Sequence, residues 1–128
     1  MNNDQQIYVP GVCNIGPVEI AARKRFGWTG LIITIAVAAL LFLVHADPWV
    51  RLVLFFPAAA AAMGLIQGYS HFCAGFGMKG FFNFGSELGK TETVQQQKFR
   101  KKDKQKAWRI IDASILTGMV VALIAFFG

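Results

Sequence analysis

Three side chains with metal-binding or thiol chemistry, Cys13, His71 and Cys73, are expected at one face of the molecule. Cys13 precedes the first long apolar stretch, and the other two end the second. Thiolate and imidazole groups bind zinc or iron, but a closed zinc site needs a fourth ligand and no pair here has diagnostic spacing. We therefore predict no metal and no cofactor, with Cys73 packed as a small apolar residue and His71 among lipid headgroups.

A thiol relay at Cys73 is the alternative. Glycines on both sides would leave the sulfur accessible, and Lys79 is close enough in sequence to activate the thiol. A haem-binding anchor is a further alternative, but an axial ligand is expected within the helix bundle, and His71 stands at a helix end.

The elements that position these residues are apolar and long. The chain has 128 residues, of which 55% are hydrophobic and only 16% are charged, whereas about a quarter are charged in an ordinary soluble domain. Three stretches, 26–44, 49–69 and 110–127, approach the roughly 20 residues that cross a hydrocarbon core. A soluble helical bundle would need polar faces at helical spacing, which residues 31–44 lack. The sequence predicts an all-α integral membrane protein with three transmembrane helices.

The other segments complete a single membrane domain over 1–128. We expect a cytoplasmic arm over 1–13, an interfacial helix start over 14–25, a glycine- and phenylalanine-rich interfacial segment over 73–90, and a basic cytoplasmic helix over 91–109.

Local signals place several details within these segments. Pro17 suits a first helical position, and Glu19 and Arg23 are four residues apart, a spacing typical of a weak surface pair. Pro57 is expected to kink the second crossing because it frees a carbonyl four residues earlier.

The third crossing is expected to follow the basic helix without a break. Thr91 is the expected cap of that basic helix. Asp112 is expected to pair with Arg109.

The charge distribution predicts the orientation. The net charge is +6, and 12 of the 13 Lys and Arg residues lie before the first crossing or between Lys79 and Arg109; Arg51, in the short outer connection, is expected to reach the surface. The positive-inside rule then places the N-terminus and 73–108 in the cytoplasm and Gly128 outside. Anionic lipid, not nucleic acid, is the predicted partner. The residues expected to contact it are Arg23, Lys24, Arg25, Arg100, Lys101, Lys102, Lys104 and Lys106.

Small residues at helical spacing predict close helix contacts. Ala60, Gly64 and Gly68 form a stripe on the second crossing, and Gly27 and Gly30 on the first can face it. In the third crossing, Gly118, together with Ala113 and Ala122, allows close packing. Internal packing is favoured over a dedicated oligomer interface.

Other sites are excluded by spacing. The stretch 85–91 has three residues between its glycines, where a phosphate-binding loop needs four and a preceding strand. Paired carboxylates and a Ser/His/Asp set are absent, and Asp112 lies too near the interface for a proton relay.

The residues Asn14, Gly16, Glu19, Arg23 and Gly27 match the pattern N-x-G-x-x-[D/E]-x-x-x-R-x-x-x-G. This pattern resembles the start of a family of small bacterial inner-membrane hairpin proteins of unknown function, whose module also forms the membrane part of an inner-membrane rhodanese. Gly68, Cys73 and Gly80 resemble the end of its second crossing, so the likeness covers about residues 14–80.

The chain departs from that family in two places. Ala74 follows the cysteine where the family usually has proline, and a basic helix and third crossing are added. The resemblance implies a two-helix module that can dimerise in a bacterial inner membrane, without a settled activity. We predict a non-enzymatic accessory or scaffold subunit that forms a homo-oligomer or joins a larger membrane complex.

Overall fold

The computed structural model describes residues 8–128, so the first seven residues of the predicted arm lie outside the described part. The described chain is mostly helical and contains three helices long and apolar enough to cross a membrane. Residues 8–13 of the predicted arm form a tight turn in which Val9 pairs with Cys13.

Helix α1, Pro17–Leu43, joins the predicted interfacial turn and the first crossing into one helix. Gly16 caps it in extended conformation and Pro17 occupies the first turn, where its missing N–H costs nothing. At about 1.5 Å per residue, its 27 residues span about 40 Å, which exceeds the hydrocarbon thickness. Helix α1 is therefore longer than a hydrocarbon core is thick.

The second crossing consists of three successive pieces. Helix α2, Pro48–Arg51, is capped by the Asp47 carboxylate, and a 3₁₀ turn over Leu52–Leu54 leads into helix α3, Phe55–Ser70. Pro57 cannot donate to the carbonyl of Val53, the middle residue of that 3₁₀ turn. The proline thus coincides with a tightened turn.

The predicted glycine- and phenylalanine-rich segment after α3 contains a short helix and a strand. Helix α4, Ala74–Lys79, is followed by a left-handed Gly80 (φ +76°) and strand β1, Phe81–Phe82. Strand β1 pairs antiparallel with strand β2, Glu92–Thr93. We call residues 74–96 the cap.

Helix α5, Gln97–Phe127, is a single helix of 31 residues that contains both the basic segment and the third crossing. It begins six residues later than expected because the chain around Thr91 leads into β2, and Gln96 is the capping position.

Glycines bring α1 and α3 into backbone contact. A Cβ atom on Gly27 would lie 2.5 Å from the Leu65 amide nitrogen, and one on Gly64 would lie 2.7 Å from the Gly27 nitrogen. Gly30 faces Ala61, and Gly68 lies against Lys24. Ala60 is only half-buried, so its neighbour Ala61 is the alanine that faces α1.

Helix α5 packs on α3 through Gly118, where a Cβ atom would lie 2.9 Å from atoms of Phe55 and Ala59. Ser114 and Ala122 are buried on the same face, whereas Ala113 is exposed. The predicted small-residue contact therefore runs through Ser114 in place of Ala113.

The surroundings of two charged residues, Arg51 and Asp112, differ from those expected from the sequence. Arg51 is half-buried, donates to the carbonyls of Ala46 (3.1 Å) and Ala125 (3.2 Å), and joins the connection to the end of α5. Asp112 is exposed and forms no ion pair with Arg109. Both residues are exposed at the surface, where an ion pair contributes little to stability.

Candidate functional site

Five polar or thiol side chains converge where the cap meets the ends of α1 and α3. We call this group the polar cluster; its members are Asn14, Glu19, Arg23, Cys73 and Asn83. Four of them are at most 5% exposed, and Arg23 is half-buried. Buried polar groups are costly unless they are hydrogen-bonded, so their partners define what the cluster can do.

Asn14 holds the backbone of Cys73 from both sides. The Asn14 Nδ2 donates to the Cys73 carbonyl (3.1 Å), and the Cys73 amide donates to the Asn14 Oδ1 (2.7 Å). The Asn14 amide also donates to the His71 carbonyl (3.2 Å), at the left-handed end of α3. These bonds tie the segment before α1 to the end of α3.

Glu19 is the acceptor centre of the cluster. Its carboxylate forms an ion pair with Arg23, accepts from the Asn83 Nδ2 (2.8 Å), and accepts from the Gly89 amide (2.5 Å). The whole residue is 1% exposed. The expected weak surface pair is therefore a buried charge with three donors, an arrangement that offsets the cost of burial.

Asn83 continues this network into the cap. Its backbone amide donates to the Asn14 carbonyl (3.0 Å), its carbonyl accepts from the Gly16 amide (2.8 Å), and its Oδ1 accepts from the Gly85 amide (3.0 Å). Asn83 thus connects the chain before α1, the carboxylate of Glu19 and the loop after β1.

The sulfur of Cys73 receives two N–H groups. The Arg23 Nη2 lies 3.0 Å from Sγ, and the Phe76 amide, in the first turn of α4, lies 3.5 Å away. The Arg23 guanidinium also stacks over the Phe76 ring, 5.4 Å from its centre. The basic residue that contacts the sulfur is Arg23, and not Lys79 as the sequence suggested.

The three candidate ligands do not form a metal site. Within residues 8–128, no group of three His, Cys, Asp or Glu side chains is arranged to hold a metal ion. Cys13 donates to the Ile15 carbonyl (3.7 Å), both cysteines are free thiols, and His71 is exposed. Burial raises the pKa of the Cys13 thiol, and a backbone hydrogen bond from Ile15 partly offsets that rise.

A second buried contact joins the N-terminal turn to α5. Asp103, which is completely buried, accepts from the Tyr8 hydroxyl and from the Gly11 amide (2.7 Å). The Tyr8 ring stacks on Phe82 of β1, with 5.1 Å between centres. Burial raises the pKa of Tyr8, and the hydrogen bond and charge of Asp103 raise it further.

The predicted lipid-contact residues divide between packing and solvent. Arg23 belongs to the polar cluster, and Arg25 is exposed. The Lys24 Nζ lies over the Tyr69 ring, 4.4 Å from the ring centre. Of the five predicted lipid-contact residues on α5, Arg100, Lys101 and Lys104 line a groove beside α4. The other two, Lys102 and Lys106, do not line it.

Sequence reasoning missed Asn83 and Asp103. A single amide between Phe82 and Phe84, and a single acid within a run of lysines, are signals for buried polar groups. Their partners lie 64 and 95 residues away, so spacing could not indicate them.

Comparisons with protein-family models, curated proteins and solved structures found no match to this chain. The resemblance to the membrane hairpin family therefore remains a hypothesis. Its motif residues Asn14, Glu19, Arg23 and Cys73 all belong to the polar cluster, and Gly27 and Gly68 lie at the contact between α1 and α3.

Proposed function

We propose that this chain is a non-enzymatic accessory or scaffold subunit of a membrane assembly, whose three helices hold a folded cap and the basic start of α5 at the cytoplasmic surface. The observation that carries the proposal is the polar cluster. The side chains of Glu19, Asn14 and Asn83 form hydrogen bonds with backbone and side-chain groups of the same chain. Such a cluster fixes the cap in one position, which suits a rigid binding surface better than a reactive centre.

The proposed orientation rests on charge. Tyr8, the end of α3, the cap and the start of α5 lie together through the contacts of Asn14 and Asp103. The connection between α1 and α2 lies at the other end, near the end of α5, through Arg51. Twelve of the 13 Lys and Arg residues are therefore in segments at the cap end, where the positive-inside rule expects the cytoplasm.

The orientation is testable with reporter fusions. Alkaline phosphatase fused after Gly128 is expected to be active in a bacterial host, and a fluorescent protein fused there is expected to stay dark. Fusions within the exposed cap loop at Ser86 should give the opposite pattern. An active phosphatase at the cap would reverse the assignment.

The assembly itself is proposed to be a homo-oligomer or a larger complex in a bacterial inner membrane. The small-residue faces at Gly27, Gly64 and Gly118 are occupied within the chain, so partners would use the outward apolar surfaces and the cap. Native purification in mild detergent, with chemical crosslinking in the membrane beforehand, tests this. A species larger than the monomer is expected, and a monomer with no crosslinked product would reject the proposal.

Thiol chemistry at Cys73 is the second candidate, favoured by the contact between the Arg23 guanidinium and Sγ. A cation beside a cysteine sulfur is a feature of reactive thiols. The sulfur is buried, with Cys73 only 5% exposed, so the reaction would require the cap to open. Trapping with a thiol-specific disulfide probe in intact cells tests this. Capture at Cys73, lost in Arg23→Lys and kept in Arg25→Lys, would support it.

A further inference from the structure

A basic groove separates the end of α4 from the first two turns of α5. Its volume is about 650 Å³, and no acidic side chain lines it. Five of its eight lining residues are basic: Lys79, Lys98, Arg100, Lys101 and Lys104. Gln97, Arg100, Lys101 and Lys104 are spaced at three, four and seven residues, which places them on one face of α5.

These cations have no charged partner in the described chain. Within residues 8–128 the ion pairs are Glu19 with Arg23 and Glu87 with Lys90, and neither involves the groove. Five positive charges around one cavity repel one another. An anion in the groove would be attracted to each of them and would offset that repulsion.

Arg100, one of the residues that line the groove, is held in place by backbone groups of the cap. Its Nε donates to the Val94 carbonyl (2.6 Å), and the Val94 amide donates to the Gly80 carbonyl (2.7 Å). A Cβ atom on Gly80 would lie 3.1 Å from the Arg100 Nε, so the arginine lies directly on this left-handed glycine. The two Nη groups make no other hydrogen bond within residues 8–128, which leaves a guanidinium edge suited to two phosphate oxygens.

The proposed membrane position brings the groove close to the depth of lipid headgroups. Lys104 precedes Ile110, the start of the apolar stretch, by six residues, or about 9 Å along the helix. The headgroup layer is about 5–8 Å thick on each side of the hydrocarbon core. The flexible stem of Lys104 covers the remaining distance.

The lining also limits the chemistry of the ligand. No aromatic ring lines the groove, so it offers no stacking surface for a nucleobase. The five positive charges of the groove outnumber the single negative charge of one phosphodiester, and the volume of the groove is several times that of one phosphate group. These features fit a non-aromatic headgroup that carries more than one phosphoryl group.

We propose that this groove binds the headgroup of an anionic membrane lipid with at least two phosphoryl groups, with Arg100 gripping one phosphate and Lys79, Lys101 and Lys104 surrounding the second. This inference rests on the proposed position of the cap at the membrane surface, but it concerns a ligand of the single chain and does not depend on the proposed assembly.

The test uses the full chain in uncharged detergent micelles. Calorimetric titration compares a short-chain diphosphatidylglycerol, a short-chain phosphatidylglycerol and inorganic pyrophosphate as probes. The lipid with two phosphates is expected to bind about tenfold more tightly than either other probe, because the groove holds two phosphates at headgroup depth.

Two matched double variants separate a site from general attraction. The groove variant Lys101→Gln/Lys104→Gln and the control Lys102→Gln/Lys106→Gln remove the same charge from the same helix. The groove variant is expected to weaken binding about 30-fold and the control about threefold or less. Lys79→Gln, on the opposite wall, should also weaken binding.

Three results would overturn the proposal. Equal losses in the two double variants would mean diffuse attraction to a polybasic helix. Equal or tighter binding of pyrophosphate would assign the groove to a soluble anion. The absence of lipid binding, with the protein folded by circular dichroism, would remove the site altogether.

Discussion

The two hydrogen bonds between the Asn14 side chain and the Cys73 backbone, which we call the clamp, lead to a quantitative prediction for the variant Asn14→Ala. The alanine removes both side-chain partners of the Cys73 backbone, an acceptor at 2.7 Å and a donor at 3.1 Å, from a site where Asn14 is fully buried. The backbone bonds of Asn14 to His71 and Asn83 remain, so the path of the chain is kept.

The expected cost follows from the two backbone groups that lose their partners. A buried donor or acceptor without a partner costs about 1–3 kcal/mol, so two such groups give a loss of about 2–6 kcal/mol. Water that enters the space left by the amide would bring the result toward the lower end of this range. The free energy of unfolding should therefore fall by about 2 kcal/mol or more.

Reversible unfolding in mixed micelles, followed by circular dichroism, measures this loss. Gln105→Ala is the matched control because it removes an exposed amide from α5, and its effect should stay within about 0.5 kcal/mol. Hydrogen exchange supplies a local readout, since the Cys73 amide should exchange faster in Asn14→Ala. If the two variants lost the same stability and the Cys73 amide stayed protected, the clamp would have no energetic role.

Three further predictions test other parts of the structure. Gly27→Ala places a Cβ atom 2.5 Å from a backbone nitrogen of α3 and should cost about 1–3 kcal/mol, whereas Gly75→Ala, with its nearest contact at 3.8 Å, should be neutral or slightly stabilising in the same unfolding assay. Iodoacetamide should modify a Cys73→Ser protein, which retains Cys13, faster than a Cys13→Ser protein, which retains Cys73. The pH midpoint of the Cys13 reaction should lie above that of a free cysteine, about 8.5, because burial raises the pKa of the Cys13 thiol. Faster modification of Cys73 would contradict the closed polar cluster. The raised pKa of Tyr8 means that the unfolded chain loses this proton first, so the stability from its hydroxyl is complete below pH about 10 and is lost as the pH rises further. Melting temperatures of wild type and Tyr8→Phe should converge above pH 10, and a constant difference would argue against the buried hydrogen bond.

The sequence alone determined the number and kind of the long helices. The three apolar stretches became α1, the pieces from Pro48 to Ser70, and the second half of α5. Bilayer thickness sets the length of a membrane-crossing segment, and the need to pair backbone groups in lipid makes that segment a helix. A run of about 20 apolar residues therefore predicts such a helix without knowledge of any tertiary contact.

Tertiary structure decided the cap and the polar cluster. Glycines and phenylalanines over 73–90 indicated a loop or broken helix at the membrane surface, and the chain there forms α4 and strand β1, which pairs with β2. Pairing of β1 with β2 and the contact of Ile15 with Asn83 depend on chain segments that meet only after folding.

The partners of the buried polar groups were likewise set by packing. Asn14 and Cys73 are 59 residues apart, and Tyr8 and Asp103 are 95 residues apart. Nothing in the local pattern around Glu19 distinguishes a solvated surface pair from a buried carboxylate with three donors. The difference arises because the cap covers Glu19 and brings the amides of Asn83 and Gly89 to it, and that arrangement exists only in the folded chain.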